Sequence, residues 1–393
     1  VSHQNGRPGG AGVTAPEGFR AAGVPAGLKS SGAPDVALVV NDGPADAAAA
    51  VFTTNRFPAA PVQWSRQVLA TGRLRGVVLN SGGANACTGP EGFADTHATA
   101  EHTAAALGLG AIDVAVASTG LIGVRLPMDR LLPGVTAAAQ ALSADGGPDA
   151  ARAIMTTDSV PKTTAQQRGG WTVGGMAKGA GMLAPSLATM LVVLTTDAVV
   201  PAEVLQPALA RATSLSFERV DSDGCLSTND TVLVMASGAS GVTPTAEEFT
   251  EALTAACTDL AMQLLADAEG STKDIAITVR NAASVADALT AGRACARNNL
   301  LKTALFGNDP NWGRVLAAIG TTDAAFEADR VDVTINGVTV CRGGAIGDAR
   351  EGVDLTGRAI TIDVDLGAGA EQATIWTNDL SIAYVHENSA YST

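Results

Sequence analysis

"KGAGMLAPSLATMLVVLTTDA" (178–198) carries a Gly-rich turn directly into an apolar run. The second half, "MLVVLTT" (190–196), is rich in Val, Leu and Thr, stops at Asp197, and reads as a buried β-strand. Pro185, with Gly179 and Gly181, keeps the approach to it non-helical. Thr189 lies where the two halves meet, and this stretch leaves two readings of it open. One is a threonine that caps a strand, the commoner outcome. The other is a hydroxyl nucleophile held at the strand mouth by a tight turn. If the Ala188–Thr189 bond were cleaved, Thr189 would own an α-amino group of pKa about 7.7–8.0, beside its own hydroxyl and able to act as its general base. Donors that stabilise an oxyanion there would also assist the cleavage, by an N→O acyl shift from Ala188.

Outward from this strand, apolar runs alternate with helical stretches. Residues 35–40, 48–55, 74–80 and 112–119 read as strands, and 92–108, 127–143, 201–214, 246–267 and 284–298 as helices. The first 30 or so residues, rich in Gly, Pro and Ala, read as an irregular lead-in. The pattern changes after about residue 280. There Asn336-Gly337 between alternating runs signals a hairpin, and "AITIDVDLG" and "QATIWTND" follow as strands. The organisation expected is a main unit over 1–280 and a smaller α+β unit over 281–393.

Composition narrows the function. The chain has 393 residues, 46% of them hydrophobic, enough for two or three domains. No run reaches the ~18 apolar residues of a membrane span, and "VSHQNGRPGGAGVTAPEGF" has no apolar signal core, so a cytoplasmic protein is expected. A net charge of −14 without any Lys/Arg cluster argues against nucleic acid. The five cysteines are scattered and lack CxxC spacing, reading as reduced thiols. With four histidines in all, and His97 and His102 five residues apart on one helix, neither a His-based metal site nor a Ser-His-Asp triad is expected. "DSDGCLSTNDTV" (221–232) imitates the start of a calcium loop, but Val232 stands where the closing Glu belongs. Cys87 has no base near it in sequence and is given no nucleophilic role, and Trp312 reads as packing.

Two further Gly-rich clusters follow strands: "NSGGANACTG" (80–89) and "STGLIG" (118–123). Such loops point backbone N–H groups outward, as an oxyanion hole requires, although glycines also simply turn a chain. Taken with these two, "GGMAKGAGMLAPSLATMLVVLTTDA", "MTTDSVPK" (155–162), "DSDGCLSTNDTV", "ADAEGSTK" (266–273), "KTALFGNDPNWGR" (302–314) and the terminal "DLSIAYVHENSAYST" (379–393) resemble, in order and from about residue 15 to the C-terminus, the ornithine acetyltransferase (glutamate N-acetyltransferase) family of arginine biosynthesis.

The resemblance implies an αββα-type sandwich with a smaller C-terminal α+β domain, self-cleaved between Ala188 and Thr189 into an α chain (1–188) and a β chain starting at Thr189. It implies ping-pong transfer of an acetyl group from N2-acetylornithine to glutamate through Thr189, without a cofactor, in an (αβ)2 heterotetramer. By motif position Thr119 and Gly120 match the oxyanion-stabilising pair, and Thr156, Lys178, Thr189, Glu269, Asn388 and Thr393 match substrate contacts. Lys178 would meet an α-carboxylate and Glu269 the side-chain ammonium of ornithine. Read without the resemblance, Lys178 is a surface lysine, Glu269 a solvated helix end, Thr156 a helix C-terminal hydroxyl, and the last residues a frayed end. Acetyl-CoA stays open as a second acetyl donor. Two competing functions also stay open: an amidase or aminopeptidase of the same self-processing type, whose acyl-enzyme admits water, and an uncleaved binding protein.

Overall fold

The computed structural model describes residues 11–182 and 190–390. Before residue 183 the chain forms β1 (Phe19–Val24), β2 (Val36–Asn41), β3 (Ala47–Phe52), α1 (Ala60–Leu69), β4 (Gly76–Asn80), α2 (Gly89–Leu107), β5 (Val114–Ser118), α3 (Met128–Gln140), α4 (Gly147–Ala153), β6 (Lys162–Arg168) and β7 (Trp171–Lys178). After it come β8 (Leu191–Thr196), α5 (Ala202–Leu215), β9 (Thr231–Ala236) and α6 (Ala246–Ala266). The rest is β10 (Asp274–Ala282), α7 (Val285–Ala296), α8 (Asn299–Phe306), α9 (Trp312–Ile319), β11 (Asp332–Ile335), β12 (Val338–Arg342), β13 (Ala345–Ile346), β14 (Ala359–Asp365), β15 (Glu371–Asn378) and α10 (Ile382–Ala390).

Among the described residues these strands make three sheets, ordered β1-β2-β4-β5, β3-β9-β8-β7-β6 and β13-β12-β11-β14-β10-β15. The first two stack face to face. Along β8, Leu191 and Val193 join one core and Val192 and Leu194 another; β9 divides likewise, Leu233 and Met235 against Val232 and Val234. The first core is shared with Val36–Val40, Val77–Leu79 and Val114–Ala117 of the first sheet, whose residues also pack with Ala100 and Ala104 of α2 and Leu131 and Val135 of α3. The second core meets Leu205 and Leu209 of α5 and Phe249, Leu253 and Leu260 of α6. This is the αββα sandwich, and it explains why "MLVVLTT" lacks polar alternation: both faces of the strand are covered.

The third sheet has its own core, including Ile275, Ile277, Leu301, Val333, Ile362 and Ile375. Its hairpin turns at Asn336 (φ 43°) and Gly337 (φ 85°), the two positive dihedrals of a type I′ turn. The division expected at 280/281 falls inside β10, which pairs with β14 and β15 from Asp274 onward.

The lead-in expected over the first 30 residues is a correction. β1 pairs with β2 in full antiparallel register, from Phe19↔Asn41 to Val24↔Val36. Residues 25–34 are then folded by Asp35, whose carboxylate accepts the N–H groups of Ala26, Leu28 and Lys29. The short run "FRAAGV" gives little periodic signal; pairing with its neighbour makes it a strand.

Candidate active site

The sheet register gathers the site. Lys178, the last residue of β7, pairs with Leu191 at the start of β8, and Leu191 pairs with Thr231 at the start of β9. At the same end of the sandwich lie the loops that leave β4 and β5. They are locked together: Thr119 N–H donates to Asn80 O at 3.0 Å, Gly83 N–H to Thr119 O at 3.0 Å, and Ala84 N–H to Leu121 O at 3.1 Å. Gly120 has φ 132°, and a Cβ there would come within 2.8 Å of Gly83 N, so both the dihedral and the close approach require glycine. Asn229, just before β9, ties the second sheet to these loops by donating to Ala84 O (2.6 Å) and Ser118 O (2.7 Å).

These elements enclose a cavity of about 400 Å³. Thr119, Gly120, Thr156, Lys178, Glu269 and Asn388 all line it, six sequence-expected residues drawn from five separate stretches. Ala188, Thr189 and Thr393 lie outside the described residues. Met190, the described residue that follows Thr189, donates its N–H to Asp230 Oδ1 at 3.0 Å.

Lys178 is no surface lysine. It is 2% exposed, and its Nζ lies 3.4 Å from Thr119 Oγ1. Burial pushes its ammonium toward losing the proton, and the Asp158 carboxylate opposes that. Asp158 in turn accepts from Gly179 N–H (2.7 Å), Thr156 N–H (3.0 Å) and Lys162 Nζ (2.7 Å). Burial alone would raise the Asp158 carboxyl, but Lys178, Lys162 and the Gly179 N–H hold it down at about 2. Lys162 also donates to Asp267 Oδ2 at 2.6 Å, so a buried Asp158–Lys162–Asp267 chain backs the wall that carries Thr156 and Lys178.

Glu269 is half-buried: Thr157 Oγ1 donates to it at 2.7 Å, and its own N–H donates to Ala180 O at 2.9 Å. Thr156 stands three residues past the end of α4 and does not cap it. Asn388 reaches the cavity from α10, exposed, with its amide donating to Tyr384 O at 3.0 Å. The terminus up to Ala390 is thus an ordered helix rather than a frayed end.

Sequence reasoning left several lining residues out: Lys29 in the loop after β1, Ser81 and Gly82 beside Asn80, and Thr157. Asp230 is fully buried and its carboxyl is pushed well above the ordinary range by desolvation, partly countered by the Met190 N–H and Lys178. Within "DSDGCLSTND", Asp221 is paired with Arg297 Nε at 2.7 Å, so the carboxylates of that stretch are engaged separately. His97 stacks near Trp64 while His102 meets Thr136 Oγ1 at 2.8 Å, on different faces of α2. Cys87 lines a separate surface cavity with Arg56 and Phe93.

Comparison with known proteins gives the family of the chain. A family model described as the ArgJ family matches residues 20–393. The chain is 65% identical over 380 residues to the arginine biosynthesis bifunctional protein ArgJ of Streptomyces coelicolor, covering 97% of this chain and 99% of that one. It is 63% identical to the protein of the same name from Thermobifida fusca, covering 97% and 100%. Among solved structures, an ornithine acetyltransferase complexed with ornithine from Mycobacterium tuberculosis is 67% identical over 45% of this chain and 96% of that chain, with a TM-score of 0.45. With nearly its whole length matched, the chain belongs to the ArgJ family, the autocatalytically processed ornithine/glutamate acetyltransferases of arginine biosynthesis.

Proposed function

We propose that Thr189 is the nucleophile of this acetyltransferase and that the 400 Å³ cavity is where both half-reactions occur. The observation that carries the reading is the convergence of Thr119, Gly120, Thr156, Lys178, Glu269 and Asn388 on one cavity, next to the strand that Thr189 precedes. In processing, Thr189 Oγ attacks the Ala188 carbonyl carbon and the Ala188–Thr189 C–N bond breaks, leaving an ester and a free amine. Water then hydrolyses the ester, releasing the Ala188 carboxylate.

In the first half-reaction Thr189 Oγ attacks the acetyl carbonyl of N2-acetylornithine and its proton passes to the Thr189 amine. The C–N bond breaks, the amine returns the proton to the leaving α-nitrogen, ornithine departs, and an acetyl ester stays on Thr189. Glutamate's α-amine then attacks that ester, and Thr189 Oγ leaves and recovers a proton. Because the Thr119 N–H is engaged with Asn80, the Thr119 hydroxyl and the Gly120 peptide are the groups that face the developing oxyanion. Lys178 holds the α-carboxylate, Glu269 the ornithine ammonium, and Thr156, Asn388 and Thr393 complete the contacts.

Five free thiols and an acidic surface suit the cytoplasm, and the assembly proposed is an (αβ)2 heterotetramer. Among the described residues no helix is long and apolar enough to cross a membrane. The test is N-terminal sequencing of the smaller fragment, expected to read Thr-Met-Leu-Val-Val, together with Thr189→Ala, expected to remain one chain without transferase activity. Cleavage retained at that bond in the variant would refute the reading.

A further inference from the structure

The two substrates pose opposite demands on one cavity. N2-acetylornithine ends in an ammonium, glutamate in a carboxylate, and both carry the same α-carboxylate. A distal wall built on Glu269 alone suits the first and repels the second. The cavity also carries a second lysine besides Lys178. Lys29, in the loop that Asp35 folds after β1, lines the same cavity, and its Nζ donates to Met155 O at 2.7 Å and to Pro34 O at 2.9 Å.

Two residues along the same strip of chain, Thr157 Oγ1 donates to Glu269 Oε1 at 2.7 Å. A cation and an anion are thus anchored to Met155 and Thr157, whose backbones lie within the roughly 7 Å that two residues can span on either side of Thr156. An ammonium has three N–H donors, and among the described residues two of those on Lys29 are engaged, both by neutral carbonyls. No salt bridge takes Lys29's charge among the described residues, in contrast to Lys162, which is held by two carboxylates. Lys29 also sits in the fields of Asp35, Asp158 and Lys178, and burial works against its charge, a penalty that an incoming carboxylate would relieve.

Building on the acetyl transfer proposed above, we infer that Lys29 is the specificity residue for the acceptor, donating to the γ-carboxylate of glutamate in the second half-reaction. Glu269 serves the ammonium in the first. The two charges act alternately on one cavity, which is how a single site accepts distal groups of opposite sign.

The experiment is two-substrate kinetics on the processed protein with Lys29→Met and Lys29→Arg, plus glutamine as an acceptor isosteric with glutamate but uncharged. Lys29→Met is expected to raise the glutamate KM about tenfold or more, the loss of a charge-assisted hydrogen bond. The KM for N2-acetylornithine should stay within about twofold, and the preference for glutamate over glutamine should shrink; Lys29→Arg should restore most of it. If both KM values rise together and the glutamate-to-glutamine ratio holds, Lys29 only fastens the loop to Met155 and the inference is overturned. It is equally overturned if neither KM moves. Mass measurement of the Thr189 fragment separates the two levels. A wild-type fragment that takes no acetyl group from N2-acetylornithine overturns the transfer reading and this inference with it. An acetylated wild type whose glutamate KM does not respond to Lys29→Met overturns the inference alone.

Discussion

Lys178 Nζ and Thr119 Oγ1 stand 3.4 Å apart, one at the end of β7 in the second sheet and the other in the loop after β5 in the first. The contact joins the charge proposed for the α-carboxylate to the hydroxyl proposed for the oxyanion, across the seam between the sheets. Thr119→Ala removes the hydroxyl but leaves the backbone bonds to Asn80 and Gly83 in place. Single-turnover acetylation by N2-acetylornithine should slow about 10²–10³-fold, the usual loss for one oxyanion donor. Thr119→Ser should retain most of the rate. An alanine variant with wild-type acetylation would remove Thr119 from the chemistry.

The Asp158–Lys162–Asp267 chain is a prediction about stability. Lys162 and Asp158 side chains are 0% exposed and Asp267 is 11% exposed, so Lys162→Met removes the cation the two carboxylates share and leaves Asp158 only the field of Lys178. Breaking a buried pair in this way costs about 3–5 kcal/mol, which denaturant unfolding of the processed protein would read. The pH dependence follows from Asp158. Its folded pKa of about 2 lies below the ordinary 3.8, so its contribution is fully present above pH ~4 and disappears as pH falls toward about 2. The contribution is of order 2 kcal/mol. Asp158→Asn should therefore flatten the acid limb of the stability curve, and an unchanged limb would show that other carboxylates set it.

Asp230 gives the opposite sign. Its carboxyl is buried and pushed above the ordinary range, so the folded protein binds a proton there that the unfolded chain has already lost. Stability from this group is greatest below the unfolded pKa and falls as pH rises toward the folded one. Asp230→Asn keeps an oxygen to accept the Met190 N–H and removes the titration. The variant should gain stability relative to wild type as pH rises from about 5 to 8, read as the difference in Tm between the two proteins. A difference constant across that range would mean Asp230 titrates below it.

How much of this was legible in the chain depends on what each residue signals locally. β8 was marked by composition because both faces are buried, and Asn336-Gly337 because a type I′ turn admits few residues; β9, buried on both faces as well, was not read as a strand. The loops after β4 and β5 stood out through their glycines. β1 did not, since "FRAAGV" owes its strand state to β2, nor did β6, a polar edge strand. Lys29 was invisible for a related reason. Its place in the cavity is set by Asp35, six residues away, and by Met155, 126 residues away. Lys178, Glu269 and Asn388 carried no local mark either; only the order of long motifs singled them out, and they meet through the β7–β8 register, the Glu269 N–H bond to Ala180 O and the seat of α10 on Gly270.

The last prediction concerns Gly270, which follows Glu269 and has φ 61°. A Cβ here would lie 2.2 Å from Tyr384 N and 2.6 Å from Ala383 C, both backbone atoms of the first turn of α10. That turn is seated on the same residue: Ser381 Oγ donates to Gly270 O, and Tyr384 N–H donates back to Ser381 Oγ at 2.9 Å. Gly270→Ala therefore cannot be absorbed by a rotamer change; the helix must move, and with it Asn388, which enters the cavity one turn further on. The second sandwich core is built mainly on β7, β8, β9, α5 and α6, with Ala268 at its margin. Gly270→Ala should then still be cleaved into two fragments while its KM for N2-acetylornithine rises about tenfold, and Asn388→Ala should move KM in the same direction without the strain. A Gly270→Ala protein with unaltered KM would mean that α10 contributes nothing to binding, whatever its place at the rim.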